Sequence, residues 1–273
     1  MRDALVDVAE RLAAAGCDSP RVDAEFLVAD VLGTSRSAIY ADGARTLNDE
    51  EQRALAALVE RRARREPLAY VLGEWGFRGL SLRVDPRVLV PRPETEAVVE
   101  RCLALIDGIE EPLVLDVGTG SGAIALAIAD EYAGARVTGL DSSEEALALA
   151  RENVQRTGID VELIRGDLFD GLPEGPWDLV VSNPPYVRPE EVERLAPEVR
   201  DWEPRAALVG TGATEAVARS AREVLRAGGT LVLETADGDA GRVLALLCGI
   251  GYAEVRMSRD LTGRSRVVEG LWL

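Results

Sequence analysis

The sequence predicts an α/β protein with a doubly wound sheet of seven strands, preceded by a small helical bundle and a β-hairpin. Three observations lead to this fold class. Apolar strand-like runs alternate with helical patterns from residue 93 to residue 273, which is typical of a sheet covered by helices on both faces. A glycine-rich turn follows the first of these runs. The first 72 residues carry helical patterns only.

Residues 1–72 are predicted to form a helical domain. The spacing of four apolar residues predicts one apolar face on the first helix: Ala4, Leu5, Val8 and Leu12. A second helix is expected to begin at Pro20, and Asn48 or Asp49 is expected to cap a later one. We interpret the arginine cluster at residues 61–65 as a solvated helix end, where cations suit the helix dipole.

Residues 73–92 are predicted to form a β-hairpin linker or two short strands, because apolar and polar residues alternate there on either side of Asp85-Pro86. A helix is then expected to begin at Pro93, which opens the third predicted domain, residues 93–273. Arg92 and Glu94 lie at this junction between domains. Clefts form at such junctions, so both residues are candidates for substrate binding.

The third domain is predicted to contain parallel strands joined by helices, with two antiparallel strands closing the sheet. The predicted strands cover residues 113–117, 137–140, 161–164, 179–181, 231–233, 252–257 and 267–272. The predicted helices cover residues 123–129, 143–153, 214–225 and 240–247. Polar residues follow several of these strands, and the carboxyl ends of parallel strands converge on one crevice.

The first of these strands leads into a glycine loop that we predict to bind a cofactor. The loop residues are Gly118, Thr119, Gly120, Ser121 and Gly122, and its glycines let the backbone turn tightly beside a ligand. Asp141, after the second strand, is positioned to accept both hydroxyls of a ribose. Asp167, after the third strand, can accept from an adenine amino group, and Leu168 can pack on the ring.

Two cofactor classes fit this loop. Gly118, Gly120 and Ala123 match the dinucleotide fingerprint, so the loop alone does not separate NAD from S-adenosylmethionine. Asp116 favours S-adenosylmethionine, because its carboxylate can face a cationic amino-acid group but would repel a pyrophosphate. The residues after the fourth strand also favour it, since a hydride-transfer site does not need them.

Those residues are Ser182-Asn183-Pro184-Pro185-Tyr186, and they suit a planar NH2 group. The side-chain oxygen of Asn183 accepts one hydrogen bond. The carbonyl of Pro184 offers a second acceptor in a backbone of fixed φ, and the ring of Tyr186 can lie against a flat group. The alternative is a proline turn that merely ends the strand.

Composition excludes several kinds of chemistry. The chain has no histidine and no lysine, so Schiff-base, P-loop-lysine and histidine-based sites are impossible. A formal charge of −17 argues against stable binding of nucleic acid. The three cysteines are far apart, which points to a reducing compartment. We therefore expect a cytoplasmic protein with no membrane segment, no metal site and no oligomeric partner.

These motifs together resemble a known family. The glycine loop, Asp141 and Asn183-Pro-Pro-Tyr186 resemble amino-methyltransferases of the Rossmann-like, S-adenosylmethionine-dependent superfamily. The helical N-terminal region narrows the resemblance, together with Val90-Pro-Arg-Pro-Glu-Thr-Glu96 and Glu203-Pro-Arg-Ala-Ala-Leu208. With these, nearly the whole chain resembles the bacterial release factor glutamine methyltransferases of the HemK type.

The resemblance implies a reaction and a partner. The methyl group of S-adenosylmethionine would pass to the side-chain amide nitrogen (N5) of the glutamine in the Gly-Gly-Gln motif of peptide chain release factors, leaving S-adenosylhomocysteine. Asn183 and the carbonyl of Pro184 would hold the amide, with Pro185 and Tyr186 shaping its slot. The glycine loop, Asp141, Leu168 and Asn183 would line the cofactor, and the helical domain would dock the release factor.

Three other functions are weighed against this one. An adenine-N6 methyltransferase acting on nucleic acid would use the same acceptor pair on a flipped base, but the acidic charge argues against it. A non-catalytic module that binds a release factor or the ribosome would not bind S-adenosylmethionine. An NAD-dependent oxidoreductase would bind nicotinamide.

Overall fold

The computed structural model describes residues 1–41, 45–260 and 262–273. Its internal contacts divide the chain into two compact units. The first unit comprises Met1–Glu74 and Ala196–Trp202, and the second comprises Trp75–Leu195 and Glu203–Leu273. The first unit therefore includes a short segment from far along the chain. The domain boundaries expected from the sequence stay a prediction.

Helices of four to fifteen residues make up much of the chain. They are α1 (Arg2–Ala14), α2 (Pro20–Val31), α3 (Ala38–Ala41), α4 (Asp49–Ala63), α5 (Leu68–Leu72), α6 (Glu96–Ile106), α7 (Ala123–Glu131), α8 (Glu144–Thr157), α9 (Pro197–Arg200), α10 (Arg205–Leu208), α11 (Ala213–Val224) and α12 (Ala240–Ile250). Two 3-10 helices cover Pro93–Thr95 and Pro189–Arg194. None of the helices described is long and apolar enough to cross a bilayer.

The first unit is a helical bundle around a small apolar core. Leu12, Leu27 and Val59, from three of its helices, are fully buried there. Asn48 caps α4 as predicted, because its side chain accepts from the backbone N–H groups of Glu50 and Glu51. This cap satisfies two of the donors that a helix start leaves open.

The arginine cluster at the end of α4 is not fully solvated, so its interpretation as a solvated helix end was wrong for Arg62. The side chain of Arg62 is buried and lies 2.8 Å from Asp23 and 2.9 Å from Glu198. Glu198 also receives two hydrogen bonds from Arg65. A buried charge needs such partners, and these ion pairs hold α9 within the first unit.

The strands form two sheets. They are β1 (Glu74–Phe77), β2 (Leu80–Arg83), β3 (Leu113–Val117), β4 (Arg136–Asp141), β5 (Glu162–Arg165), β6 (Trp177–Ser182), β7 (Leu225–Glu234), β8 (Ala253–Arg259) and β9 (Ser265–Leu271). β1 and β2 form a two-stranded hairpin within the predicted linker. The chain turns at Arg78 and Gly79, between the two strands, and not around Asp85-Pro86 as expected. The other strands form a seven-stranded sheet of order β5-β4-β3-β6-β7-β9-β8, in which β9 runs antiparallel to both its neighbours.

Helices cover both faces of the large sheet, and this confirms the predicted fold class. Successive strand residues point to opposite faces, so Val114 packs under α6 and α7 whereas Leu115 packs under α11 and α12. The order of the strands reverses between β3 and β6, which are parallel neighbours. Ligands bind at the carboxyl edge of such a reversal point.

Candidate active site

A glycine loop joins β3 to α7 at this carboxyl edge. Gly118, Gly120 and Gly122 have φ angles of +77°, +57° and +81°, a region that L side chains rarely adopt. A Cβ built at Gly118 or Gly120 would meet no atom within 4 Å. The loop backbone therefore borders open space, and its shape depends on the glycines.

The open space is a cleft that opens to solvent and has a cavity volume of about 200 Å³. Most of the lining residues are apolar or glycine, and nine carry polar or charged side chains, Asp141 and Asn183 among them. The predicted site residues that line it are Arg92, Gly118, Thr119, Gly120, Ser121, Asp141, Leu168, Asn183 and Pro185.

Asp141 is locked in place by the backbone at the end of β4. Its Oδ2 accepts from the N–H of Gly120 at 2.9 Å, and its Oδ1 accepts from the N–H of Ser143 at 2.9 Å. Burial raises the pKa of Asp141, and these backbone donors oppose the shift. Each oxygen keeps a further lone pair for a hydroxyl group in the cleft.

Asn183 follows β6 directly and is half-buried beside the cleft. The preceding residue fixes the strand end, because Ser182 donates from Oγ to the carbonyl of Val117 at 2.7 Å. The side-chain Nδ2 of Asn183 donates to Oγ1 of Thr95 at 3.4 Å, and Thr95 donates to Oε2 of Glu234 at 2.6 Å. The amide of Asn183 thus ends a short chain of hydrogen bonds.

The segment from Leu208 to Gly210 packs against the turn at Pro184-Pro185. Val187 donates from its backbone N–H to the carbonyl of Leu208 at 2.9 Å. Gly210 packs so closely that a Cβ there would lie 2.4 Å from the carbonyl oxygen of Pro185. Only glycine fits this approach, so the segment around Gly210 fixes the path of the turn.

Arg92 is held by an acidic partner. Its Nη2 lies 2.7 and 2.6 Å from the two carboxylate oxygens of Glu203. Burial raises the pKa of Glu203, while the charge of Arg92 acts in the opposite direction. The ion pair joins the two sequence motifs that begin at Val90 and at Glu203.

Several predicted residues do not line the cleft. Asp116 is fully buried beneath the loop and accepts from Oγ1 of Thr119 at 2.7 Å, which leaves its Oδ1 without a partner. Burial raises its pKa to about 7, although that hydrogen bond opposes the shift. Asp167 accepts from the N–H of Phe169 at 3.0 Å in a local turn. The binding roles of Asp116 and Asp167 stay predictions.

Four more predicted residues lie outside the lining: Glu94, Gly122, Pro184 and Tyr186. Tyr186 is half-buried, and this burial raises the pKa of its phenol. Pro184 is buried between Asn183 and Pro185, which both line the cleft. The roles of all four in catalysis or binding stay predictions.

Four polar residues of this region were not predicted as site residues from the sequence: Thr95, Asn153, Glu203 and Glu234. Thr95 and Glu203 stand inside the two family motifs, so their positions were available as a signal. Asn153 gave no signal beyond its place on a helix, yet it is fully buried and donates to the carbonyls of Ser121 and Arg83. It therefore ties α8 to the glycine loop and to the hairpin.

No group of three or more metal-ligating side chains is found in the part of the chain that the structure describes.

The chain is similar to known proteins over most of its length. Two family models match the chain: PrmC N-terminal domain over residues 3–73, and Methyltransferase small domain over residues 102–236. The release factor glutamine methyltransferase of Geobacter sulfurreducens is 41% identical over 263 residues, covering 95% of this chain and 92% of the relative. That of Deinococcus radiodurans is 41% identical over 273 residues, covering 98% and 97%.

A solved structure supports the fold alone. The methyltransferase from Pyrococcus furiosus is 21% identical and superposes with a TM-score of 0.52. The match covers 78% of this chain and 98% of that one.

Proposed function

Because the chain belongs to the release factor glutamine methyltransferase family, we propose that it methylates the glutamine side chain of the Gly-Gly-Gln motif in peptide chain release factors. The methyl donor is S-adenosylmethionine, and the acceptor is the side-chain amide nitrogen. One observation carries the proposal. Asn183, a fixed acceptor for a planar NH2 group, lines the same cleft as the glycine loop and Asp141.

The residues of the cleft fit S-adenosylmethionine. Gly118 and Gly120 leave the loop backbone bare toward open space. Asp141 has both oxygens held by backbone donors and keeps lone pairs for two ribose hydroxyls. Leu140 and Leu168 give the cleft apolar walls on which a flat base can pack.

S-adenosylmethionine supplies an activated methyl group on a cationic sulfur. The chain then has to hold the amide nitrogen so that its lone pair faces that methyl group. Asn183 accepts one N–H of the amide through its Oδ1, and the carbonyl of Pro184 accepts the other. The nitrogen is fixed in orientation, and its N–H bonds are polarised so that electron density shifts toward it.

The reaction needs no strong base. The new N–C bond forms as the S–C bond breaks, so the nitrogen carries a positive charge and becomes acidic. Its proton is then released to solvent. The chain has no histidine or lysine to accept it, and positioning carries the catalysis.

Arg92 and Glu94 belong to the substrate side of the proposed site. Arg92 lines the cleft, and Glu203 fixes its guanidinium with two short hydrogen bonds. A guanidinium held in this way donates well to peptide carbonyls. We expect it to bind the backbone of the Gly-Gly-Gln loop, with the ring of Tyr186 packing against the glutamine.

Mass spectrometry of a release factor tests the proposal. Purified factor is incubated with the enzyme and S-adenosylmethionine, and the Gly-Gly-Gln peptide is then analysed. One methyl group on the glutamine is expected, and none on a factor whose glutamine is replaced by alanine. Labelled methyl transfer to RNA or DNA, with none to the factor, would contradict the proposal and favour an adenine-N6 methyltransferase.

A further inference from the structure

We propose that Thr95 and Glu234 are positioning residues that fix which end of the Asn183 side chain faces the substrate. The inference rests on the proposed function, because it explains how the side-chain amide of Asn183 is oriented toward the substrate. Thr95 donates to Glu234 at 2.6 Å, and Asn183 donates to Thr95 at 3.4 Å. These two contacts are enough to determine where the amide oxygen points.

The sheet brings these residues together. β6 and β7 are parallel neighbours in which Ser182 pairs with Leu233. The next residue along each strand is Asn183 on one and Glu234 on the other, so both lie at the carboxyl edge. Thr95 ends the 3-10 helix before α6, and its hydroxyl bridges the two side chains.

The direction of the hydrogen bonds follows from how many protons each group has. An ionised carboxylate only accepts, so the single hydroxyl proton of Thr95 goes to Glu234. The oxygen of Thr95 then has only lone pairs to offer to Asn183. The NH2 end of the Asn183 amide must face Thr95, and the Oδ1 end is left for the substrate amide.

Burial removes the competing partners. Glu234 is 1% exposed and Thr95 is 4% exposed, so bulk water does not replace the hydrogen bond between them. The charged and titratable groups that face Glu234 come from several elements: Glu94 on the 3-10 helix, Arg92 just before it, Arg266 on β9 and Tyr186 after β6. The two arginines favour its ionised form, and Glu94 opposes it.

Protonation of Glu234 would remove the constraint. A neutral carboxyl can donate to Thr95, whose own proton is then free to turn toward Asn183. Both orientations of the amide become possible. Burial raises the pKa of Glu234 to about 7. The ionised, orienting form is therefore gained as pH rises through 7, and kcat should rise about tenfold from pH 6 to pH 8 if only that form is active.

Kinetics of matched variants test the proposal. Thr95→Val keeps the shape but removes the hydroxyl, and should lower kcat tenfold or more without changing the Kd for S-adenosylmethionine. Thr95→Ser keeps the hydroxyl and should retain most of the activity. Thr138→Val is the control, because it removes a Thr–Glu contact between β4 and β5, outside the cleft, and should behave as wild type.

Equal loss in Thr95→Val and Thr95→Ser would overturn the proposal, as would a wild-type kcat in Thr95→Val. A rise in Kd that matches the fall in kcat would also overturn it, because this would indicate a merely structural role. Glu234→Gln has no titrating group at this position. Its kcat should lose the step near pH 7, and a retained step would count against the proposal.

A second measurement needs no substrate. The side-chain amide signal of Asn183 in 15N-labelled enzyme, assigned with Asn183→Asp, should shift with a midpoint near pH 7. The shift should vanish in Glu234→Gln, and an unshifted wild-type signal would overturn the proposal. Failure of the release factor assay with a normal amide titration would instead refute the proposed substrate and leave the hydrogen-bond chain intact.

Discussion

Substitution of Gly210, which lies outside the cofactor loop, by alanine should impair catalysis through a steric clash with Pro185. In Gly210→Ala, the added Cβ would lie 2.4 Å from the carbonyl oxygen of Pro185, whereas real Cβ atoms essentially never approach closer than 3.0 Å. The Pro-Pro turn must therefore move by about 0.6 to 1 Å. A misplacement of about 1 Å can reduce a rate by about 10²-fold, so we expect kcat to fall by about that factor.

The assay is methylation of a release factor at saturating S-adenosylmethionine, together with calorimetry of cofactor binding. The Kd should stay close to the wild-type value, because the glycine loop and Asp141 are untouched. Gly249→Ala is the matched control. It adds a methyl group in α12 where no atom lies within 4 Å, so activity should be unchanged. A Gly210→Ala enzyme within threefold of wild-type kcat would refute the reasoning.

Three further predictions concern the polar groups of the site. Asn183→Ala removes the proposed acceptor and should lower kcat about 10²- to 10³-fold; a near-normal rate of methylation would contradict that role. Asp141→Asn weakens hydrogen bonds to a charged acceptor by about 1.5 kcal/mol, so calorimetry should find about tenfold weaker cofactor binding, and an unchanged Kd would count against it. Asp116 has a folded-state pKa raised from 3.8 to about 7, so the folded protein keeps the proton up to about pH 7 whereas the unfolded chain releases it near pH 4. The stability that this proton contributes is complete below about pH 4 and is lost as pH rises through 7. Denaturant unfolding should therefore find that Asp116→Asn gains up to about 4 kcal/mol relative to wild type between pH 4 and pH 8; a constant difference would refute this.

The strand-end residues of the site could be predicted because local sequence patterns specify them. A buried strand followed by glycines predicts the loop, and Asp141 follows the next strand at the same edge of the sheet. Asn183 follows β6, which the structure pairs directly with β3. In these cases the strand order alone brings the side chains together, and no long-range partner has to be known.

Long-range partners could not be predicted in this way. Thr95 and Glu234 are 139 residues apart, and Arg92 and Glu203 are 111 residues apart. Spacing says nothing about contacts at such separations, and a chain with 48 acidic residues offers many possible partners for each arginine. The burial of Arg62 beside Asp23 and Glu198 was missed for the same reason.

The burial of Asp116 follows from the alternation of side chains along β3. Side chains alternate along a strand, so Asp116 shares the face of Val114, which packs under α6 and α7. Its carboxylate is accordingly buried and bonded to Thr119.

In the proposed site, Asn183 and the carbonyl of Pro184 accept the two N–H groups of the substrate amide. A crystal structure of the enzyme with S-adenosylhomocysteine and a release factor tests this arrangement through two distances. The glutamine nitrogen should lie about 2.7 to 3.2 Å from Oδ1 of Asn183 and from the oxygen of Pro184. A glutamine bound elsewhere, or an Asn183 amide that turns its NH2 toward the nitrogen, would contradict it.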